Sequence, residues 1–254
     1  MPNLPLAVQL YTLRDLVAAN LPATLQQVAA LGYTGVELAG YGSLKNPADI
    51  RKALDDNHLK MAGSHIGLEA METDLNRVMD ENDILGNKNL VIPGLAKERR
   101  ADAAGWKRIA QTLNELGQKV QSRGFKLAYH NHSFEFEQFD GQTGMDILYA
   151  NAQPQNLKAE LDVYWIRHGG QDPVAYINRH AGRILLIHLK DMAAGPEQRF
   201  APVGTGTLDI RGITAAAQTA GAQWLIVEQD NTYDTPPLDA LRTSMENLKK
   251  MALA

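Results

Sequence analysis

The sequence predicts a closed (β/α)8 barrel of the α/β class, a TIM barrel, and three observations carry that prediction. Eight short β-type runs recur at spacings of roughly 25 to 40 residues, the length of a βα unit that returns the chain to a parallel neighbour. The central runs are nearly continuous in apolar residues, as in Ile184-Leu185-Leu186-Ile187, which suits strands covered on both faces. An open, doubly wound nucleotide-binding sheet would show a Gly-x-Gly-x-x-Gly turn after its first strand, and that position reads Tyr11-Thr12-Leu13-Arg14-Asp15. Nothing in the 254 residues marks a linker or a composition shift, so residues 1–254 are expected to form one barrel domain.

Taken in order, strand one is expected from Leu6 (LAVQLY) and strand two from Thr34 (TGVELA). Asn46-Pro47 then opens a helix toward Asn57, an N-cap residue followed by proline at the first helical position. Strand three starts near Leu59 (LKMAGSH) and strand four near Asn89 (NLVIPG). A long helix from about Asp102 to Arg123 carries Leu113, Leu116 and Val120 on one face and stops at Gly124. Strands five and six begin near Phe125 (FKLAYH) and Asn156 (NLKAELDV). Asp172-Pro173 repeats the capping device before Val174–His180, closed by Gly182, and strand seven begins near Arg183 (RILLIHLK). Met192 to Val203 is a candidate lid, and Gly204-Thr205-Gly206 reads as a tight turn capped at Thr207 or Asp209 in preference to a phosphate cradle. Strand eight begins near Gln223 (QWLIVEQ), and Thr235-Pro236-Pro237 opens a last helix striped by Leu241, Met245 and Leu248.

Composition narrows the function classes. The chain is 44% hydrophobic and 21% charged, near the globular average, which argues against disorder and coiled coil. A net charge of −4 offers no electrostatic footprint for nucleic acid or an anionic membrane, so small partners are expected. Cysteine is absent, which removes disulfides, thiolate metal sites and a cysteine nucleophile and fits a reducing cytoplasm. Met1-Pro2-Asn3-Leu4-Pro5 lacks a basic n-region, so no signal peptide is read, and no apolar run approaches the ~20 residues that cross a bilayer. Oligomeric state is not legible, and a homo-oligomer stays open.

Polar residues collect at the strand ends, where a barrel of this kind keeps its active site. They are Gln9 and Tyr11, Glu37, His65, His130-Asn131-His132, Glu160 and Asp162, His188 with Lys190 and Asp191, and Glu228-Gln229-Asp230. Side chains alternate along a strand, so His130 with His132, Glu160 with Asp162, and His188 with Lys190 form same-face pairs. An apolar barrel interior tolerates so many ionisable groups only at its open mouth, or when they are paired or bound to a metal.

These residues also carry a resemblance. Gly32-Tyr33-Thr34-Gly35-Val36-Glu37-Leu38, Tyr129-His130-Asn131-His132-Ser133-Phe134-Glu135-Phe136, Leu161-Asp162-Val163-Tyr164-Trp165, His188-Leu189-Lys190-Asp191, Gly204-Thr205-Gly206-Thr207-Leu208-Asp209 and Val227-Glu228 resemble, in order, stretches of the sugar isomerase/epimerase family of xylose isomerase-like barrels. That family includes ketose 3-epimerases, inosose dehydratases, hydroxypyruvate isomerases and endonuclease IV. In its ketose epimerases a Glu, an Asp, a His and a Glu on strands five to eight hold a divalent metal. The resemblance carries these onto His130, Asp162, His188 and Glu228, with His standing where strand five would supply Glu. The symmetric pair of glutamates that serves the epimerases as acid and base is thereby broken, and the motif is closer to the branch of dehydratases and lyases.

The reading that follows is a metal-dependent isomerase or epimerase of a small keto-sugar, with a dehydratase or lyase on a keto-sugar or keto-inositol as its rival. The oxygen and nitrogen ligand set suits Mn²⁺, then Co²⁺, Zn²⁺ or Mg²⁺. Such an ion polarises a carbonyl and stabilises the enediolate left by removal of the α-proton. Glu228 is read as the proton carrier, Glu160 or His130 as the opposing acid or base, and Lys190 and His65 as donors to substrate or to a leaving hydroxyl. His132 is read as facing the substrate. Glu37 is either an acceptor for a substrate hydroxyl or an ion-pair partner, and Tyr11 and Trp165 are either a wall against the sugar ring or core. DNA repair of the endonuclease IV type is disfavoured by the charge of −4, and a non-catalytic sugar-binding protein has little need for clustered bases.

Overall fold

A computed structural model describes residues 3–254; Met1 and Pro2, part of the segment read as lacking signal-peptide character, lie outside the described residues. Eight strands form a closed parallel barrel: β1 (Leu6–Gln9), β2 (Gly35–Leu38), β3 (Lys60–His65), β4 (Asn89–Ile92), β5 (Lys126–His130), β6 (Lys158–Asp162), β7 (Ile184–Leu189) and β8 (Trp224–Val227). Each pairs with its neighbour in sequence, and the ring closes with Leu6 opposite Leu225. Among the described residues no helix is long and apolar enough to cross a membrane.

Four of the eight strands, β1, β2, β4 and β7, are buried at every position, because helices cover the outside of the barrel while inward side chains fill its interior. The interior is divided by height. Small and branched residues, Ala7, Ala62, Val91, Ala128, Leu185, Leu186 and Ile226, form their own apolar cluster apart from the larger core between strands and helices. At the C-terminal mouth the inward side chains become ionisable.

The helix signals act as expected. Asn46 caps the helix Pro47–Asp56 by accepting from Ala48 N, and Asp172 caps Pro173–Arg179 by accepting from Ala175 N. Asp102 caps Ala103–Gln121, and the last helix spans Pro237–Lys250 with Leu241, Met245 and Leu248 buried. Asp209 caps the helix Ile210–Thr219.

Three departures from the sequence reading have local causes. The first strand stops at Gln9, whose side chain accepts from Tyr11 N, so Tyr11 lies in a 3-10 turn over Leu10–Leu13 and not in the strand. Asp162 both ends β6 and caps a helix, Val163–His168, that the sequence did not announce. The lid candidate is an anchored hairpin in which Asp191–Met192 pairs with Phe200–Ala201.

The turn at Gly204-Thr205-Gly206 is also settled by geometry. Asp191 Oδ2 accepts from Gly204 N and Gly206 N at 2.9 Å each, and its Oδ1 accepts from Met192 N and Leu208 N at 2.8 and 3.1 Å. The chain's own carboxylate therefore fills the concavity that a phosphate would have needed.

Candidate metal centre and active site

Two backbone irregularities set the axis carboxylates. The register between β2 and β3 shifts between Val36 and Glu37, and that between β6 and β7 shifts between Ala159 and Glu160. A bulge re-aims the next side chain, and here each stands beside a glutamate that points into the barrel. Gly63 makes room for the first: a Cβ there would lie 2.3 Å from Glu37 Oε1.

These two carboxylates meet three imidazoles. Glu37 Oε2 accepts from Gln9 Nε2 at 2.8 Å and lies 2.6 Å from His188 Nε2 and 3.2 Å from His65 Nε2. Glu160 Oε2 lies 2.7 Å from His65 Nε2, 3.1 Å from His130 Nδ1 and 3.3 Å from His188 Nε2. Nearer the rim, His188 Nδ1 reaches Glu228 Oε2 at 2.8 Å and stands 4.0 Å from Asp162 Oδ2. The Lys190 ammonium is held by three carboxylates, 2.6 Å from Asp230 Oδ1, 2.8 Å from Glu228 Oε2 and 3.0 Å from Asp162 Oδ2.

Proton affinities follow from this crowding. Burial opposes charge on His65, but Glu37 and Glu160 outweigh it and hold the imidazole up to about 10. His188 is raised in the same way by Glu160, Glu228 and Glu37. His130 is driven down by burial and by the neighbouring imidazoles, and His132 is pushed down to about 4 by burial and the Lys190 charge. Burial lifts Asp162 to about 6, whereas Glu228, despite burial, is held low by Lys190 and His188. The cluster holds five carboxylates, Asp162, Glu228 and Asp230 around the Lys190 ammonium and Glu37 and Glu160 against the imidazoles, so it carries negative charge that imidazole protonation or a bound cation must offset.

The donor atoms fit a divalent cation. Glu160 Oε1 and Glu37 Oε1 are buried without a hydrogen bond, and Asp162 Oδ2 meets only the Lys190 ammonium at 3.0 Å; unfilled lone pairs in so dry a place are costly unless a cation takes them. Donors of Asp162, His188 and Glu228 all lie within 4.8 Å of one another, and so do those of His65, His130, Glu160 and His188. Three of the four residues that the resemblance named thus converge directly. The fourth, His130, joins the second set, while its Nε2 stands 3.9 Å from Asp162 Oδ2.

Above the cluster opens a cavity of about 400 Å³ lined by His65, His130, His132, Lys190, Glu228 and Asp230, with Tyr11 and Pro93 among its apolar walls. Glu37 and Glu160 are fully buried beneath it and do not line it, and Trp165 stands at its side with its ring 5.6 Å from His132. Asp230 and Gln9, named in the sequence only among the strand-end polar residues, take definite places here, one against Lys190 and the other against Glu37. The two-residue spacing that pairs Glu160 with Asp162 also pairs Glu228 with Asp230, so that signal was present in the sequence.

Residues 25–251 match the xylose isomerase-like TIM barrel family. The chain belongs to that family. Within the xylose isomerase-like comparison, the inosose dehydratase of Lacticaseibacillus casei is 25% identical over 243 residues, covering 81% of this chain and 80% of that protein. A sugar phosphate isomerase/epimerase from Parabacteroides distasonis ATCC 8503 superimposes with a TM-score of 0.84 at 23% identity, over 97% of this chain and 98% of the other. The IOLI protein, solved with a bound zinc atom, superimposes with a TM-score of 0.75 at 18% identity, over 97% of each chain.

Proposed function

We propose that this xylose isomerase-like barrel is a divalent-metal-dependent lyase that removes the α-proton of a small keto-sugar or keto-inositol and expels a β-hydroxyl as water. The observation that carries the reading is the 2.8 Å contact between the Glu228 carboxylate and the Lys190 ammonium in the cavity wall, a base and an acid side by side. Asp162, His188 and Glu228 are proposed to hold the ion, with His130 as the fourth ligand. When bound there, a divalent cation supplies Lewis acidity toward the substrate carbonyl.

The remaining work falls to side chains. Glu228 is ionised at neutral pH and accepts the α-proton. Lys190, held protonated by its three carboxylates, donates to the departing hydroxyl. Loss of one proton to Glu228 and gain of one from Lys190 leaves the enone and water, and after product leaves both groups, which line the open cavity, reset by proton exchange with solvent. His65, an imidazolium on the cavity floor, donates to a substrate oxygen, and His132, neutral at pH 7, accepts from a hydroxyl. Tyr11 gives the ring an apolar side wall, and Trp165 packs behind His132 without lining the cavity. Glu37 and Glu160 act from beneath by orienting His65 and His188. The inosose dehydratase relative supports elimination.

Isomerisation or epimerisation is the second reading, favoured by His65, an imidazolium lining the same cavity that can act as the proton donor opposing Glu228. The test is incubation of the Mn²⁺-loaded protein with keto-inositols and keto-sugars in D₂O. Enone or diketone absorbance with loss of water supports the lyase, deuterium incorporation without water loss supports the isomerase, and neither on any substrate overturns both.

A further inference from the structure

The Lys190 ammonium and a divalent cation need the same two oxygens. Nζ is 3.0 Å from Asp162 Oδ2 and 2.8 Å from Glu228 Oε2, two of the three residues whose donors gather within 4.8 Å. Two cations cannot share those oxygens without severe repulsion in a buried site. The ammonium cannot retreat to solvent either, because Lys190 is 1% exposed and the rings of Phe200 and Trp165 stand 5.7 and 5.9 Å from Nζ. One further acceptor lies in reach. Asp230 Oδ1 is its nearest partner at 2.6 Å, hydrogen-bonded to it, and its side chain is 24% exposed toward the cavity.

We propose that Lys190 is an internal placeholder for the divalent cation and that Asp230 is the positioning residue onto which the ammonium withdraws when the cation enters. Resting on the ion site assigned above, this adds an exchange of one positive charge for another. The carboxylates Asp162 and Glu228 keep a cation between them in both states, and the displaced ammonium stays beside the cavity, pointing where a leaving hydroxyl would be. Asp230 thus tunes ion affinity without being a ligand.

The full-length chain titrated with Mn²⁺ by calorimetry, with no substrate present, reads this directly. Lys190→Met should tighten Mn²⁺ binding and Asp230→Asn should weaken it, each by on the order of tenfold. The decisive arm is the double variant: with Lys190 replaced, Asp230→Asn should lose most of its effect, because its role is to hold an ammonium that is no longer there. An Asp230→Asn effect as large in the Lys190→Met background as in the wild type overturns the proposal and makes Asp230 a direct electrostatic contributor. If Lys190→Met fails to fold by circular dichroism, Lys190→Gln, which keeps hydrogen-bond donors of similar reach, supplies the same arm. Absence of Mn²⁺ binding by the wild type overturns the ion site and this exchange with it, whereas binding without coupling overturns the exchange alone.

Discussion

Glu135 sits apart from the reacting groups and titrates near neutrality all the same. Burial pushes its carboxyl up to about 7, against hydrogen bonds from the Tyr129 hydroxyl at 2.7 Å and His132 N at 2.8 Å. A carboxyl raised in the folded state binds its proton more tightly there than in the unfolded chain, whose value is 4.5. Its contribution to stability is therefore full below about 4.5 and is lost as pH rises through 7, on the order of 3 kcal/mol in all. Glu135→Gln keeps an acceptor for His132 N and an amide group for Tyr129. It should flatten the fall in stability between pH 5 and 8, read as urea midpoints at both values. A slope equal to the wild type's would show that this carboxyl does not titrate in that window. Within the site, Glu228→Gln should leave the fold intact while turnover drops by about 10²- to 10⁴-fold, the usual worth of a general base. Unchanged turnover on the true substrate would remove Glu228 from the mechanism.

At the scale of elements, strand order was legible because βα units announce themselves by punctuation. Asn46-Pro47, Asp102 and Asp172-Pro173 all cap the helices they were expected to open. The bulges beside Glu37 and Glu160 were not legible, since a register shift is a relation between two strands and no single run records it. Beyond the second of them the register is regular from Glu160 to Asp162, so the two carboxylates share a face and meet different neighbours because they stand two residues apart along the strand, one facing His65 and the other Lys190. The helix Val163–His168 escaped notice because Asp162 was read only as a ligand, and one carboxylate does both jobs through different oxygens: Oδ1 caps Trp165 N while Oδ2 faces the Lys190 ammonium. Asp191 is the strongest test of an element-scale claim. Asp191→Ala strips the acceptor from four backbone N–H groups and should destabilise the protein by more than about 3 kcal/mol in urea unfolding, far beyond the loss of one hydrogen bond.

For the whole molecule, the division of the barrel into an apolar lower half and an ionisable mouth means that folding concentrates like charge at one end. A cation that binds only the folded state should then be felt globally. Treatment with EDTA is expected to lower Tm and abolish turnover, and excess Mn²⁺ to restore both, with Tm rising as the ion concentration exceeds its dissociation constant. Melting that ignores chelator and ion alike would detach the cluster from any metal. Composition had limited this picture to a cysteine-free chain whose ligands had to be oxygen or imidazole nitrogen. Which imidazole nitrogen faces which carboxylate needed the closed barrel, because the inner and rim groups share His188 through its two ring atoms.

The carboxylate of Asp191 also has a consequence in time. Its four amide partners are bonded inside the chain, three of them on the loop after strand seven and the hairpin that follows. A loop moulded around its own anion needs no bound phosphate to hold its shape. Amide hydrogens of Gly204, Gly206 and Leu208 should exchange with solvent slowly, and inorganic phosphate should leave their rates untouched.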